Sequence, residues 1–369
     1  MTTDQIYSLV NSAAEQAIGG AGDVSAMDTS TLISLGNTIL SSSVNTEAFL
    51  NTLAQRIGRT ILRYRDYRNK LRDMVVNDFE YGAILQKIKV VMPEAVSDPA
   101  YSLTDGQSVD PWVVAKPEVD QKLFVKRTPY MFHITIQEHT LREAFLSAEA
   151  MGGFIATVFG EVRNAIELAM ENLGRLTIAT GIAEASAREV KLVTDYNAET
   201  GSTLTAQTAM HDAAFLAYAV RRMNSARDFM EDMSQKYNDG TLVTFTPKED
   251  LRVRINSEFH RALETVVQYA AFHDELVENE GVYTLMNFWQ SSDFPRLISI
   301  KRPSDGTEIE LDNIVCVMHD RDALGMYQID ERVATTRVNE RGLYFNTFYH
   351  ERQLWFVDRS ENLVFFSLS

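Results

Sequence analysis

A long proline-rich connection between two strand-like segments constrains the fold of this chain more than any other feature. Apolar and polar residues alternate over Ile84–Met92 and again over Tyr130–Gln137, and this period predicts β-strands. A polar connection of this length is improbable inside a compact domain unless it projects and acts outside the domain. The sequence therefore predicts an extended hairpin loop over residues 79–138, with an ordinary surface hairpin as the alternative. The prolines in or beside the connection are Pro93, Pro99, Pro111, Pro117 and Pro129.

Helical periodicity occurs on both sides of this loop. Before it, apolar residues recur at helical spacing while Arg56, Arg59 and Arg63 fall on another face, which predicts an amphipathic helix with a basic side. After the loop, an apolar stripe that follows a Gly-Gly break predicts a spine helix at about residues 152–180. At about 1.5 Å per residue, such a helix is on the order of 40 Å long and can span a domain.

The two ends of the chain differ in composition. Residues 1–50 are rich in small and polar side chains and contain little large apolar area, so we expect an N-terminal arm that is ordered only against a partner. From Leu242 short strand and helix patterns alternate, with a strand pair around Pro303–Gly306 and a buried strand at Ile314–Asp320. Strand-like segments rich in aromatic residues lie in the C-terminal portion of the chain. The fold class is therefore α+β.

Charge and cysteine content exclude several classes of protein. The net charge of −16 argues against a general nucleic-acid binder, because phosphate binding requires Lys and Arg to neutralise the backbone. No apolar run approaches the roughly 18–20 residues of a membrane span, and the first residues lack a signal-peptide pattern, so we expect a soluble protein made in the cytoplasm. The single cysteine, Cys316, excludes an internal disulfide framework, and we expect an inert core thiol.

Signatures of catalysis and of metal binding are missing from the sequence. We find no phosphate-binding loop, no dinucleotide fingerprint, no zinc-protease motif and no nucleophile elbow. The carboxylates of residues 273–280 can in principle hold magnesium, but such clusters arise by chance in a chain with 51 acidic residues and are usually solvated. We therefore predict no catalytic, cofactor-binding or metal-binding residue. The histidines lack metal-ligand spacing and lie at His133, His139, His211, His260, His273, His319 and His350.

Several segments resemble a known family. The run Asn339–His350, continued by Glu361–Phe366, is similar to the C-terminal strand block of the major head proteins of phi-29-type short-tailed phages. Leu53–Arg63, Asp250–Asn256 and Cys316–Tyr327 are similar to further segments of that family. The order of the predicted elements resembles the Hong Kong 97 fold of tailed-phage major capsid proteins. The similar segments extend from about residue 50 to the C-terminus.

The resemblance implies an α+β capsid fold of the Hong Kong 97 type with a peripheral and an axial domain. The extended loop would lie over a neighbouring subunit, and the spine helix would belong to the peripheral domain. The implied division is an N-terminal arm at 1–50, a peripheral domain at 51–78, 139–189 and 324–359, the extended loop at 79–138, and an axial domain at 190–323 and 360–369.

The implied function is structural, not enzymatic. The chain would be a major capsid protein that self-assembles through pentameric and hexameric capsomers into the icosahedral head of a virion, inside the host cytoplasm. Its implied partners are further copies of itself, a scaffolding protein, a portal, and packaged double-stranded DNA bound without sequence specificity, with no membrane and no cofactor. The alternatives are an encapsulin-type nanocompartment shell and a soluble magnesium-dependent enzyme that uses residues 273–280.

The basic face of the helix before the loop is the candidate interaction site. Arg56, Arg59 and Arg63 can contact an acidic neighbouring subunit, contact packaged DNA, or remain solvated. Because many copies of net charge −16 must come together in a shell, a cationic face is most useful between subunits. We therefore favour an intersubunit contact for these three residues.

Overall fold

The computed structural model describes most of the chain, namely residues 3–18, 25–57, 67–76, 85–93, 95–110, 112, 114, 116–125, 127–269 and 282–369. Its α-helices are α1 (Thr3–Ile18), α2 (Thr29–Leu40), α3 (Ser43–Ile57), α4 (Glu138–Ala144), α5 (Ala148–Glu184), α6 (Leu192–Thr200), α7 (Ala206–Ala209), α8 (Ala213–Glu231) and α9 (Ser257–Tyr269). Its strands are β1 (Val75–Val76), β2 (Leu85–Val90), β3 (Val119–Phe124), β4 (Arg127–Gln137), β5 (Glu189–Lys191), β6 (Leu251–Asn256), β7 (Val282–Met286), β8 (Ile298–Lys301), β9 (Glu308–Leu311), β10 (Ile314–Asp320), β11 (Leu324–Thr335), β12 (Tyr344–Val357) and β13 (Leu363–Ser367).

Contacts divide the chain into two compact units, each with its own hydrophobic core. The first unit comprises Met1–Glu80, Arg127–Gly174 and Met326–Leu354. The second unit comprises Tyr81–Lys126, Arg175–Gly325 and Trp355–Ser369. The chain therefore passes from one unit to the other within α5, within β11 and within β12.

Helices α1 and α2 belong to the core of the first unit. On α1, Ile6 and Val10 are four residues apart and buried, and Leu35 and Ile39 have the same relation on α2. The structure therefore differs from the arm expected for residues 1–50. Large apolar residues are few there, but they form one narrow stripe on each helix, and overall composition does not reveal such a stripe.

The predicted strand at Tyr130–Gln137 is present as β4, but its partner differs from the expected one. Strand β4 pairs antiparallel with β12, with Ile136 opposite Phe345, in a sheet of order β1-β11-β12-β4. Strand β2 pairs instead with β3, which precedes β4 in the chain. An alternating pattern predicts that a strand forms but not which strand lies beside it, because the alternation is the same for every partner.

The spine helix predicted at about residues 152–180 is present as α5, a continuous helix of 37 residues. The expected break at Gly152 does not occur, because this glycine lies inside the helix. A Cβ atom at Gly152 would lie 2.8 Å from Ile6 Cδ1, so the missing side chain permits the close approach of α1. Within the described residues, no helix has both the length and the apolar content that crossing a membrane requires.

The second unit is built on a mixed sheet of order β5-β13-β10-β6-β7. The buried strand predicted at Ile314–Asp320 is confirmed as β10, the central strand, and all its residues are buried. The predicted strand pair around Pro303–Gly306 is confirmed as the antiparallel hairpin β8–β9. Cys316 lies on β10 in the core, as predicted, and burial raises the pKa of its thiol, so the thiol stays protonated and inert.

Candidate assembly interface

The base of the projecting loop is the two-stranded hairpin β2–β3. In its register Lys87 lies opposite Lys122, and Val90 lies opposite Val119. Opposite residues of an antiparallel pair share one face, and successive residues alternate between faces. The hairpin therefore has one charged face and one apolar face.

The charged face points inward, toward the turn between β12 and β13. Asp358 in that turn has a fully buried side chain, and its two carboxylate oxygens lie 2.9 Å from Lys87 Nζ and 3.1 Å from Lys122 Nζ. Lys87 and Lys89 also form ion pairs with Glu361. We call this group of Lys87, Lys89, Lys122, Asp358 and Glu361 the lysine clamp. It fixes the base of the hairpin to the turn between β12 and β13, within the second unit.

Electrostatics explain why the clamp forms. Lys87 and Lys122 carry like charges directly opposite each other, an arrangement that destabilises an isolated hairpin. Asp358 offsets this repulsion by accepting both ammonium groups. Burial alone would raise the pKa of Asp358, but the adjacent Lys87 lowers it to about 2. Burial opposes the charge of Lys87 as well, yet Asp358 and Glu361 raise its pKa.

The apolar face points outward into solvent. Ile88, Val90, Val119 and Leu123 are 59%, 62%, 52% and 57% exposed, respectively. Gln86 and Gln121 complete this face, which has no charged residue among its six positions. We call Ile88, Val90, Val119 and Leu123 the outward face. A hairpin with charges inward and aliphatic side chains outward is the reverse of a solvated hairpin, which makes the outward face a candidate surface for association.

The connection beyond the hairpin has no core of its own. All its described residues from 92 to 118 are exposed. Local hydrogen bonds shape it. The backbone N–H of Ala100 donates to Asp98 Oδ1 at 2.9 Å, and the backbone N–H of Trp112 donates to Asp110 Oδ1 at 2.9 Å. Trp112 is 84% exposed. The segment is therefore a series of small turns that presents large side chains to solvent.

Of the three arginines singled out from the sequence, only Arg56 lies within the described residues. Arg56 is on the last turn of α3, whose described part ends at Ile57. Arg59 and Arg63 lie outside the described residues, as do the carboxylates of 273–280. The contacts of these groups therefore stay predictions.

One buried histidine lies in the core of the second unit. His319 on β10 is 1% exposed, and its Nδ1 lies 2.8 Å from the Asp320 carbonyl oxygen. Burial, followed by the charge of Arg254, lowers the pKa of His319 to about 3, so the ring is neutral at physiological pH. In the part of the chain that the structure describes, no three His, Cys, Asp or Glu side chains form a group suited to a metal ion.

One buried acidic residue was not singled out from the sequence. Glu351 on β12 is 2% exposed, and Gln353 Nε2 donates to its Oε2 at 3.2 Å. Burial, and next the charge of Glu331, raises the pKa of Glu351 to about 7. The signal was present in the sequence, because Glu351 is in phase with Phe345 along the strand and therefore points to the same buried face.

Comparison with known proteins identifies the family. A model of the phi29-like phage major capsid protein family matches residues 10–367. The chain belongs to this family. The expected class is thereby confirmed, because this is a family of structural virion capsid proteins and not of enzymes. The encapsulin and magnesium-enzyme alternatives are set aside.

Individual capsid proteins agree with the family assignment. The chain is 22% identical over 321 residues to the major capsid protein of Bacillus phage PZA, covering 86% of this chain and 63% of that protein. It is 23% identical over 334 residues to the major capsid protein of Bacillus phage B103, covering 90% of this chain and 66% of that protein. The chain thus spans somewhat less than two-thirds of the length of these relatives.

Solved phage capsids share the fold. The capsid structure of Staphylococcus phage Andhra matches with a TM-score of 0.55 at 10% identity, covering 84% of this chain and 87% of that one. The capsid structure of cyanophage P-SCSP1u matches with a TM-score of 0.50 at 14% identity, covering 84% and 90%. The α+β class and the Hong Kong 97-like fold are therefore confirmed, and the peripheral and axial boundaries stay predictions.

Proposed function

We propose that the chain is the subunit of a closed icosahedral head, that it assembles through pentameric and hexameric capsomers, and that the head encloses phage double-stranded DNA. The observation that carries this proposal is the outward face, an aliphatic surface that the lysine clamp holds in solvent. In the proposed shell a neighbouring copy covers it. Such head-to-tail contacts between identical copies close into rings.

The energetics favour many weak contacts over one strong contact. Burying the exposed half of each outward-face side chain contributes on the order of 1 kcal/mol. Bringing two subunits together costs roughly 4–15 kcal/mol of lost freedom and ordering. A single hairpin contact therefore holds two copies only weakly. In a ring every subunit places its hairpin on one neighbour and is contacted by the hairpin of the other, and the contacts reinforce one another.

The family resemblance supports three further parts of the proposal. The peripheral domain comprises 51–78, 139–189 and 324–359, and the axial domain comprises 190–323 and 360–369. A scaffolding protein and a portal take part in assembly. The DNA is enclosed without sequence-specific contacts, in keeping with a chain of net charge −16.

The outward face supplies the test of this function. Replacing Ile88, Val90, Val119 and Leu123 together by Thr keeps the strand propensity but removes most of the apolar area. We expect this variant to unfold like the wild type and to form no closed shells, as judged by electron microscopy and light scattering. The matched control exchanges the same positions among Ile, Val and Leu and should still assemble. Closed shells from the Thr variant would refute the proposal.

The basic helix face supplies a second, independent test. We propose that Arg56, Arg59 and Arg63 contact an acidic neighbouring subunit. The amphipathic pattern predicts that all three lie on the solvated side of a helix, where charges contribute about 1 kcal/mol or less each, so changing all three to Glu should leave thermal unfolding nearly unchanged but abolish the assembly of empty particles. Arg341→Glu, an exposed change elsewhere, is the control. Normal empty shells that fail only in DNA packaging would instead assign the face to DNA.

A further inference from the structure

We propose that Trp112, in the connection beyond the hairpin of one copy, inserts into a cavity at the hairpin base of a second copy and donates its indole N–H to Glu184 there. This inference rests on the proposed shell function and specifies one contact within it. The geometry of the cavity, the state of Glu184 and the exposure of Trp112 each contribute to it.

The cavity lies within the second unit and has a volume of about 200 Å³. Its walls are mainly apolar and include Phe124 of the hairpin and Trp355 and Phe356 at the end of β12. The ring centroids of Phe124 and Phe356 are 5.1 Å apart, so the hairpin base closes one side. Small-molecule sites usually measure roughly 300–1,000 Å³, and this cavity is therefore better suited to a single large side chain.

The Glu184 carboxylate in the cavity wall can accept a further hydrogen bond. The Glu184 side chain is 6% exposed, and its Oε1 accepts the Ser304 N–H at 2.9 Å. Its Oε2 is buried and forms an ion pair with Arg359, whose Nε lies 3.6 Å away, but it accepts no hydrogen bond from any residue the structure describes. A buried carboxylate oxygen gains stability from a hydrogen bond. The cavity thus selects a side chain that is apolar except for one donor.

Tryptophan has this combination, because its indole carries a donor and no acceptor. Trp112 is 84% exposed, so it does not occupy the cavity of its own copy. Asp110, held beside Trp112 by its contact with the Trp112 N–H, would approach Arg359 at the rim, whose side chain is 47% exposed. Trp112 and Asp110 thus complement the cavity and its rim in shape, in hydrogen bonding and in charge. A contact between the loop of one copy and the hairpin base of another is head-to-tail, as ring closure requires.

A double-mutant cycle on the critical concentration for shell assembly tests the proposed bond. Trp112→Phe keeps an aromatic ring but removes the donor, and Glu184→Leu removes the acceptor. We expect Trp112→Phe to raise the critical concentration about ten-fold or more in the wild-type background, because hydrogen bonds to charged groups are the stronger ones. In the Glu184→Leu background the same change should have almost no effect. Thermal unfolding of each free variant confirms that it folds.

Tyr101 supplies the matched control for this cycle. It is also an aromatic residue of the loop and is 92% exposed, but it lacks the donor-only character of an indole. Tyr101→Phe should leave the critical concentration unchanged in both backgrounds. Additive effects of Trp112→Phe and Glu184→Leu would overturn the proposed bond while leaving the shell function intact. Failure of the wild type to form any shell would overturn the function and, with it, this inference.

Discussion

Glu351 is an acidic residue in a buried position, and its ionisation affects stability. Its carboxyl has a pKa near 7 in the folded chain against a usual value of 4.5, chiefly because burial disfavours the charged form and next because Glu331 is close. Between about pH 4.5 and 7, the folded state therefore keeps a proton on Glu351 that the unfolded state has lost. The stabilising contribution is present below pH 4.5 and is lost as the pH rises through 7.

Glu351→Gln should remove this dependence on pH. We expect the variant to be more stable than the wild type at pH 8, by on the order of 3 kcal/mol, and nearly equal to it at pH 4. Urea unfolding at a series of pH values measures the difference between the two proteins. Glu340→Gln, at an exposed position, should show no such difference. A Glu351→Gln variant that is less stable than the wild type at pH 8 would contradict this account.

At the scale of single residues, the sequence predicted burial where a residue belongs to a simple local pattern. Cys316 was correctly expected in the core, because it lies in an uninterrupted apolar run. Asp358 gave no comparable signal. Its role depends on Lys87 and Lys122, which are more than two hundred residues away in the chain and share a face only once β2 and β3 pair.

At the scale of elements, the lysine clamp determines where the hairpin lies. Asp358→Asn would leave Lys87 and Lys122 opposite each other without their shared carboxylate. We expect a loss of about 3–5 kcal/mol in the free energy of unfolding, since removing one partner leaves uncompensated charges. Faster hydrogen exchange should be confined to β2 and β3. Asp120→Asn is the control, because Asp120 is partly exposed and lies 3.9 Å from Lys122, so its loss should cost less than 1 kcal/mol.

The clamp also predicts behaviour in acid. The pKa of Asp358 is near 2 in the folded chain and near 3.8 in an unfolded one, so its stabilising contribution is present above about pH 4 and is lost as the pH falls toward 2. The hairpin strands should therefore lose exchange protection over this interval in the wild type. In Asp358→Asn the protection should already be low at neutral pH. Equal protection in the two proteins at neutral pH would show that the clamp does not hold the hairpin.

Elements were predictable where local pattern decides them. Strand β10 and the hairpin β8–β9 follow from apolar runs and a turn sequence. The partners of β2 and β4 do not follow, because pairing depends on which distant strand offers a matching face. The packing of α1 and α2 was missed for a related reason: their narrow apolar stripes gain stability from each other, from α3 and from the core they share with α4 and α5, and the composition of the segment does not reveal these contacts.

At the scale of the whole molecule, the sequence predicted the α+β class, the capsid family and a projecting loop. It did not predict that the loop's base turns its charges inward and its aliphatic residues outward. That inversion rests on the buried acidic turn beneath the hairpin, and we propose that a neighbouring copy covers the opposite side. We therefore infer that the hairpin is built to contact a surface that another copy provides.

Excision of the projecting connection tests this claim most directly. The Val91 N–H donates to the Glu118 carbonyl oxygen at 2.8 Å, so residues 92–117 can be replaced by Asn-Gly, a two-residue turn suited to closing a hairpin at such a pair. Sedimentation velocity and electron microscopy then compare the variant with the wild type at equal concentration. The account predicts a cooperatively folding protein with an intact clamp that remains as free subunits. Closed shells like those of the wild type would contradict it.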